Sequence, residues 1–269
     1  MFLAKDVFGK VLLAVPQSPP PKKLPFKQRR DREFLYLHEI DALIAALAQT
    51  RAATRNTAIA MLLFCQALQP AEACYLRWDD VDFAENIIRV SRLRTLPTRL
   101  GQPPNNLQPL SWAEIDILQQ LYTVRVTNWL FVSERQTRLA ERSLHHLIQQ
   151  AGKTADITFP IHPYMLRTTG LFYRAALLLQ PTSLSLRQCC LLWNWHGTKV
   201  ALPPEQEREY NEIAKFPEDT FLSAIKRLRA FTGIGHYQNV IDYLLGAYAL
   251  FPQLGGIPHD YWLAPVGWH

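Results

Sequence analysis

At 269 residues and 48% apolar side chains, the chain carries enough hydrophobic material for one large domain or two small ones, which excludes an intrinsically disordered chain. Lys and Arg number 29 against 23 Asp and Glu, a formal net charge of +6, which suits a polyanionic partner without demanding one. The cysteines Cys65, Cys74, Cys189 and Cys190 lack zinc-site spacing, and the adjacent Cys189 and Cys190 are poorly placed to bridge, so all four read as reduced, buried thiols.

In chain order, residues 1–15 hold two lysines and the short apolar run 11–15, with no small-residue cleavage site; this is not read as a signal peptide. No apolar run reaches the length of a membrane span, so no membrane partner is expected and the expected location is cytoplasmic. Residues 16–33 form a Pro-rich linker (Pro16, Pro19, Pro20, Pro21, Pro25) in which Lys22, Lys23, Lys27, Arg29, Arg30 and Arg32 outnumber the single acid Asp31. Such an arm can follow phosphates or enter a minor groove, or be a solvated linker.

From residue 37 the period becomes helical, with Ile40, Leu43, Ile44 and Leu47 on one face. Thr54 is placed to cap a second helix bearing Ile59, Leu62 and Leu63, which Pro70 interrupts before a short helix over 71–76. Asp79-Asp80 predicts a turn and residues 83–90 a strand, followed by a loop or hairpin tip marked by Pro97, Gly101, Pro103, Pro104 and Asn105-Asn106. Ser111 and Glu114 have capping-box spacing and open a helix with Ile115, Leu118 and Leu121 on one side. A short strand over 129–133, a helix with Leu144, Leu147 and Ile148, and a long helix over 165–179 begun by Pro163 complete a mainly α chain with a small antiparallel β-sheet. The tail 215–269 is rich in aromatics, and Val240, Ile241, Leu244 and Leu245 predict one more amphipathic helix there. His145, His146, His162 and His196 have no partners at metal-ligand spacing, and there is no Gly-rich phosphate loop, so no metal and no cofactor are expected.

Two segments carry chemistry. The first, residues 66–82, holds Glu72, Leu76, Trp78, Asp80, Val81 and Asp82 at the spacing of the box T-G-L-R-x-x-E-x-x-x-L-x-W-x-D-h-D. The second, His162-Pro-Tyr-Met-Leu-Arg-Thr168, resembles H-P-H-M-L-R-H. As a pair, over roughly residues 33–200, they resemble the tyrosine recombinases of the phage integrase family, and within it the small fimbrial phase-variation recombinases. The resemblance implies the tyrosine-recombinase catalytic-domain fold and the divisions 1–33 (arm and linker), 34–214 (catalytic-like domain) and 215–269 (aromatic extension). Its implied partner is double-stranded DNA, with nucleoid association. A carboxy-terminal helix in the family often docks on a neighbouring protomer, which implies a possible homo-oligomer through the extension.

The family attacks a DNA phosphate with a tyrosine. Two arginines and a histidine hold charge on the phosphate oxygens, a hairpin lysine protonates the leaving oxygen, and a His or Trp supports the nucleophile. Carried over, the first arginine falls on Gln69, which brings no charge, and Pro70 follows it. The lysine falls near Arg94, with Arg92 as the register alternative; arginine is a poor proton donor. The histidine falls on Tyr164, the second arginine on Arg167, and the His-or-Trp position on Trp193. Family spacing puts the nucleophile at Leu202; Tyr210 is the nearest tyrosine and requires an insertion. Removal of one oxyanion-type donor costs about 10²–10³ in rate, so these departures point to a dead or very weak site. The expected function is therefore a DNA-binding transcription regulator or architectural factor, with Arg92, Arg94, Arg167 and the arm (Lys22, Lys23, Lys27, Arg29, Arg30) on DNA. The alternatives are a divergent recombinase using Tyr210 and Arg167, or a protein-interaction module on a relic fold.

Overall fold

In the computed structural model the described residues are 32–92, 105–179, 208, 221–234, 239–240, 242–244 and 247. They divide between two compact units, with the division between Leu171 and Phe172.

In the first unit, α1 (Leu37–Ala48) and α2 (Ala53–Cys65) pack together, and α2 also meets α4 (Trp112–Thr123) while α1 meets α5 (Glu141–Thr154). The helical period explains the pairing: Leu43 and Leu47 from α1, Ile59, Leu62 and Leu63 from α2, Leu118 from α4 and Leu144 and Ile148 from α5 are wholly buried. Leu62, Leu63 and Phe64 all lie inside because α2 is enclosed along its length, Asn56 to Cys65 being buried without interruption. Thr54 does not cap this helix. The N-cap is Ala52, and Thr54 lies within the first turn.

Pro70 does not break a helix; it begins one. α2 ends at Cys65, and Pro70 is the first residue of α3 (Pro70–Tyr75), where its missing N–H would have had no helical partner anyway. A 3-10 turn, Trp78–Asp80, leads into a three-stranded antiparallel sheet of β1 (Val81–Asp82), β2 (Ile87–Ser91) and β3 (Asn105–Pro109) in the order β1-β2-β3. The strand expected over 83–90 is thus displaced. Asp82 Oδ1 accepts the N–H groups of Ala84 and Glu85 (2.9 and 3.1 Å) and Asn86 turns at φ 55°, so residues 83–86 form the hairpin turn. Register pairs Ile88 with Gln108 and Val90 with Asn106, and buries Ile88 and Val90 on one face.

The strand expected over 129–133 is reduced to two isolated bridges, Arg77 with Trp129 and Val132 with Arg138. Its neighbour leaves after two hydrogen bonds, Trp78 N–H to Asn128 O (2.9 Å) and Leu130 N–H to Leu76 O (3.0 Å), because residues 78–80 curl into the 3-10 turn.

The capping box before α4 is formed as expected: Ser111 Oγ accepts from Glu114 N–H (3.3 Å) and Glu114 Oε2 accepts from Ser111 N–H (2.8 Å). α6 (Pro163–Leu179) starts at Pro163. A Cβ on Gly170 of α6 would run into the carbonyl of Phe64, so this glycine lets α6 approach the end of α2. Thr169 Oγ1 accepts the N–H of Leu35 (2.8 Å) and donates to Met165 O (2.8 Å), which ties the segment before α1 to α6.

In the second unit, α7 (Phe221–Thr232) buries Ala224, Ile225 and Leu228. Two tail aromatics pack here: Arg174 lies over the Phe231 ring (3.8 Å) and Phe172 meets Tyr243 edge-on (5.3 Å). Val240 and Leu244 of the expected tail helix are helical and buried; Ile241 and Leu245 lie outside the described residues. Among the described residues no helix is long and apolar enough to cross a membrane.

Candidate functional site

The site grows from the four residues, 66–69, that join α2 to α3. Ala67 takes φ 47°, a left-handed conformation unusual for a residue with a Cβ, and Gln69 is extended (φ −71°, ψ 151°) as the N-cap of α3. With Pro70 at the first helical position and Glu72 two residues later, the Glu72 carboxylate folds back so that Oε2 accepts the Gln69 N–H at 2.7 Å. A carboxylate at a helix N-terminus is also favoured by the exposed N–H dipoles. Gln66 fixes the other side of the turn: its Nε2 donates to Glu114 Oε1 (2.7 Å) and to Pro109 O (3.1 Å), which docks the turn on α4 and β3.

Two arginines reach this turn from different elements. Arg92 directly follows β2, and its Nη1 donates to Glu72 Oε2 at 2.7 Å, with longer contacts of 3.4 Å to Ala67 O from Nη1 and to Gln66 O from Nη2. Arg167, on α6, donates from Nη1 to Ala67 O and stands 3.7 Å from the same Glu72 oxygen. All three side chains are almost out of water, at 3% exposure for Arg92, 9% for Arg167 and 1% for Glu72. Guanidinium does not titrate in the accessible pH range, so this group can hold an anion but cannot act as an acid.

Tyr164 lies in the first turn of α6 and is 40% exposed. Its ring packs against His145 of α5 and against His162, each with centroids 6.4 Å away. His162 Nε2 pairs with Glu33 Oε2 at 2.8 Å. Burial, and then the neighbouring His162, hold the His145 imidazole below its usual range, so it is neutral at physiological pH.

The structure therefore brings together Gln69, Arg92 and Arg167 around Glu72, and packs Tyr164 against His145 and His162. Arg94, Trp193, Tyr210 and the arm residues Lys22, Lys23, Lys27, Arg29 and Arg30 lie outside the described residues. The hub role of Glu72, the carbonyl of Ala67 and the bracing by Gln66 and Glu114 were not expected from sequence. The Pro70–Glu72 pair was the available signal, since Pro at the first helical position followed by an acid in that first turn marks a helix start. Among the described residues no three His, Cys, Asp or Glu side chains stand where they could share a metal ion.

Residues 33–172, more than half of the chain, match the model of the phage integrase family. The chain is 28% identical over 144 residues to the type 1 fimbriae regulatory protein FimB of Escherichia coli K12, covering 51% of this chain and 68% of that one. It is 27% identical over 151 residues to the tyrosine recombinase XerC of Bacillus pumilus, covering 54% of this chain and 49% of that one. Among solved structures, the XerA recombinase superposes with a TM-score of 0.54 at 19% identity, covering 90% of this chain and 69% of that one. The Tn1549 transposon integrase in complex with a circular intermediate DNA gives 0.50 at 14% identity, covering 82% and 65%. The fold is that of the tyrosine-recombinase catalytic domain.

Proposed function

The chain belongs to the phage integrase family, and from that premise we propose that it is a duplex-DNA-binding protein whose strand-transfer chemistry is lost or strongly weakened, acting as a transcription regulator or DNA-architectural factor. The observation that carries this reading is Gln69. It occupies the position of the family's first arginine, brings no charge, and serves as the N-cap of α3 beside Pro70. The half-exposed Tyr164 at the histidine position adds to it, because a phenol carries no positive charge to set against a phosphate. The names of curated relatives, fimbriae regulatory proteins, agree with a role in controlling genes.

DNA would be held through phosphate contacts from Arg167 and the hairpin that carries Arg92 and Arg94, with the basic arm (Lys22, Lys23, Lys27, Arg29, Arg30) alongside. The division into an arm (1–33), a catalytic-like domain (34–214) and an aromatic extension (215–269), a cytoplasmic, nucleoid-associated location and self-association through the extension belong to the same proposal. The test is a covalent-trapping assay on host genomic DNA fragments, which separates binding from chemistry. The expected result is salt-sensitive binding with no protein–DNA adduct that survives denaturation.

A second reading, an active recombinase with Tyr210 as nucleophile supported by Trp193, draws on Arg167 being in place and on relatives named as tyrosine recombinases. A denaturation-resistant adduct that disappears in Tyr210→Phe would establish it in place of the first.

A further inference from the structure

The DNA-binding reading leaves one function without an owner, the positive charge missing at Gln69. We propose that Arg92 supplies it, and that Arg92 and Arg167 together seat one phosphodiester group of duplex DNA. This inference rests on the DNA-binding reading.

The first support is convergence on a single atom. Glu72 Oε2 accepts from the Gln69 backbone N–H at 2.7 Å and from Arg92 Nη1 at 2.7 Å, with Arg167 Nη1 at 3.7 Å. Arg92 thus carries its guanidinium to within two hydrogen-bond lengths of the Gln69 backbone. The second support is a shared second acceptor, because both arginines also donate to Ala67 O. Two guanidiniums from separate elements, a hairpin and α6, are thereby held side by side on rigid acceptors, which is how a planar fork is oriented before an anion arrives. The third support is spare capacity on the carboxylate. Glu72 Oε1 is buried without a hydrogen-bond partner, so the hub has an oxygen to offer an additional donor at position 69.

The same contacts argue against Arg92 as a stand-in for the hairpin lysine. A guanidinium tied to Glu72 neither gives up a proton nor sits at the loop tip. Arg92 is a phosphate-binding residue, and the step it serves is binding; no bond is made or broken.

The test measures duplex-DNA affinity over a salt series for the full chain, for Glu72→Gln with Arg92→Gln, and for Gln69→Arg with Arg92→Gln. The first double variant leaves the net charge unchanged and strands no buried carboxylate, so a shallower salt slope cannot come from bulk charge. The expected result is about a tenfold or greater loss of affinity and a slope reduced by about one for that variant. The second double variant, with arginine returned to position 69, is expected to recover most of both. Unchanged affinity and slope in a cooperatively folded Glu72→Gln, Arg92→Gln protein would overturn the proposal while leaving the DNA-binding reading intact. If that variant does not fold, Arg92→Gln compared with Gln69→Arg, Arg92→Gln decides: a slope reduced in the first and restored in the second supports the proposal, and a wild-type slope in both, or no recovery in the second, overturns it. Absence of salt-dependent binding by the wild type would overturn both.

Discussion

Glu72 Oε2 and Arg92 Nη1 stand 2.7 Å apart with both side chains at most 3% exposed, and this pair joins the start of α3 to the hairpin. A charge pair so far from water is strongly asymmetric in its energetics: losing one partner leaves an uncompensated buried ion, whereas losing both costs much less. Glu72→Ala is therefore expected to destabilise the fold by about 3–5 kcal/mol. Adding Arg92→Leu should restore part of that loss. A urea-unfolding double-mutant cycle reads the coupling, and simple additivity would show the pair to be energetically independent.

Gly170 and Gly152 should respond differently to alanine, although both are helical. A Cβ at 170 meets the backbone carbonyl of Phe64, which cannot move without shifting the end of α2. At 152 it meets Ile161 Cγ1 at 2.5 Å and Cδ1 at 2.7 Å, the outer part of a side chain that can rotate. Gly170→Ala is expected to cost about 1–3 kcal/mol, as overpacking does. Gly152→Ala should cost less, because gained helix propensity of about 1 kcal/mol offsets the repacking. Thermal unfolding of the two variants side by side checks the order.

Burial pushes the Cys74 thiol up to about 12, with Glu141 adding to the rise, so almost no thiolate exists at neutral pH. Cys74 is expected to resist alkylation in the native protein and to react once denaturant unfolds it. Peptide mapping after a timed pulse of reagent at pH 8 distinguishes this from rapid native labelling.

His145 gives a pH prediction with a definite sign. Its folded-state affinity for protons is lowered, mainly by burial, so the folded protein binds fewer protons there than the unfolded chain does. Its contribution is unperturbed above the ordinary value of 6.5 and turns destabilising as pH falls from there through the lower folded value. His145→Gln should flatten the fall in stability below pH 6.5, as read from urea midpoints at a series of pH values. A curve parallel to the wild type would remove His145 from the account.

The helices were legible where period and punctuation agree. Leu43 and Leu47, Ser111 with Glu114, and Pro163 each name a face, a start or a boundary through local chemistry. From sequence, Pro70 reads as a break because a proline after an apolar run fits both the end of one helix and the start of the next. Only the extended Gln69 and the returning Glu72 carboxylate decide between the two. The 129–133 segment has a strand's composition, but pairing depends on a partner that turns away at Trp78, which no property of residues 129–133 reports. At the site, the family boxes point to Gln69 and Arg167, and the structure brings both to Glu72. The approach of Arg92 to Glu72 could not be read from them, because it depends on where the hairpin lands, a relation between residues twenty positions apart in the chain.

The proposed role as a DNA-binding protein without strand transfer is best tested by a genome-wide map of bound DNA in the native host, made by crosslinking and sequencing. Discrete binding sites upstream of genes, with no rearranged junctions in the reads, are the result predicted here. Sites confined to an invertible segment or to the ends of a mobile element, with recombined junctions that vanish in Tyr210→Phe, would contradict it and establish a working recombinase.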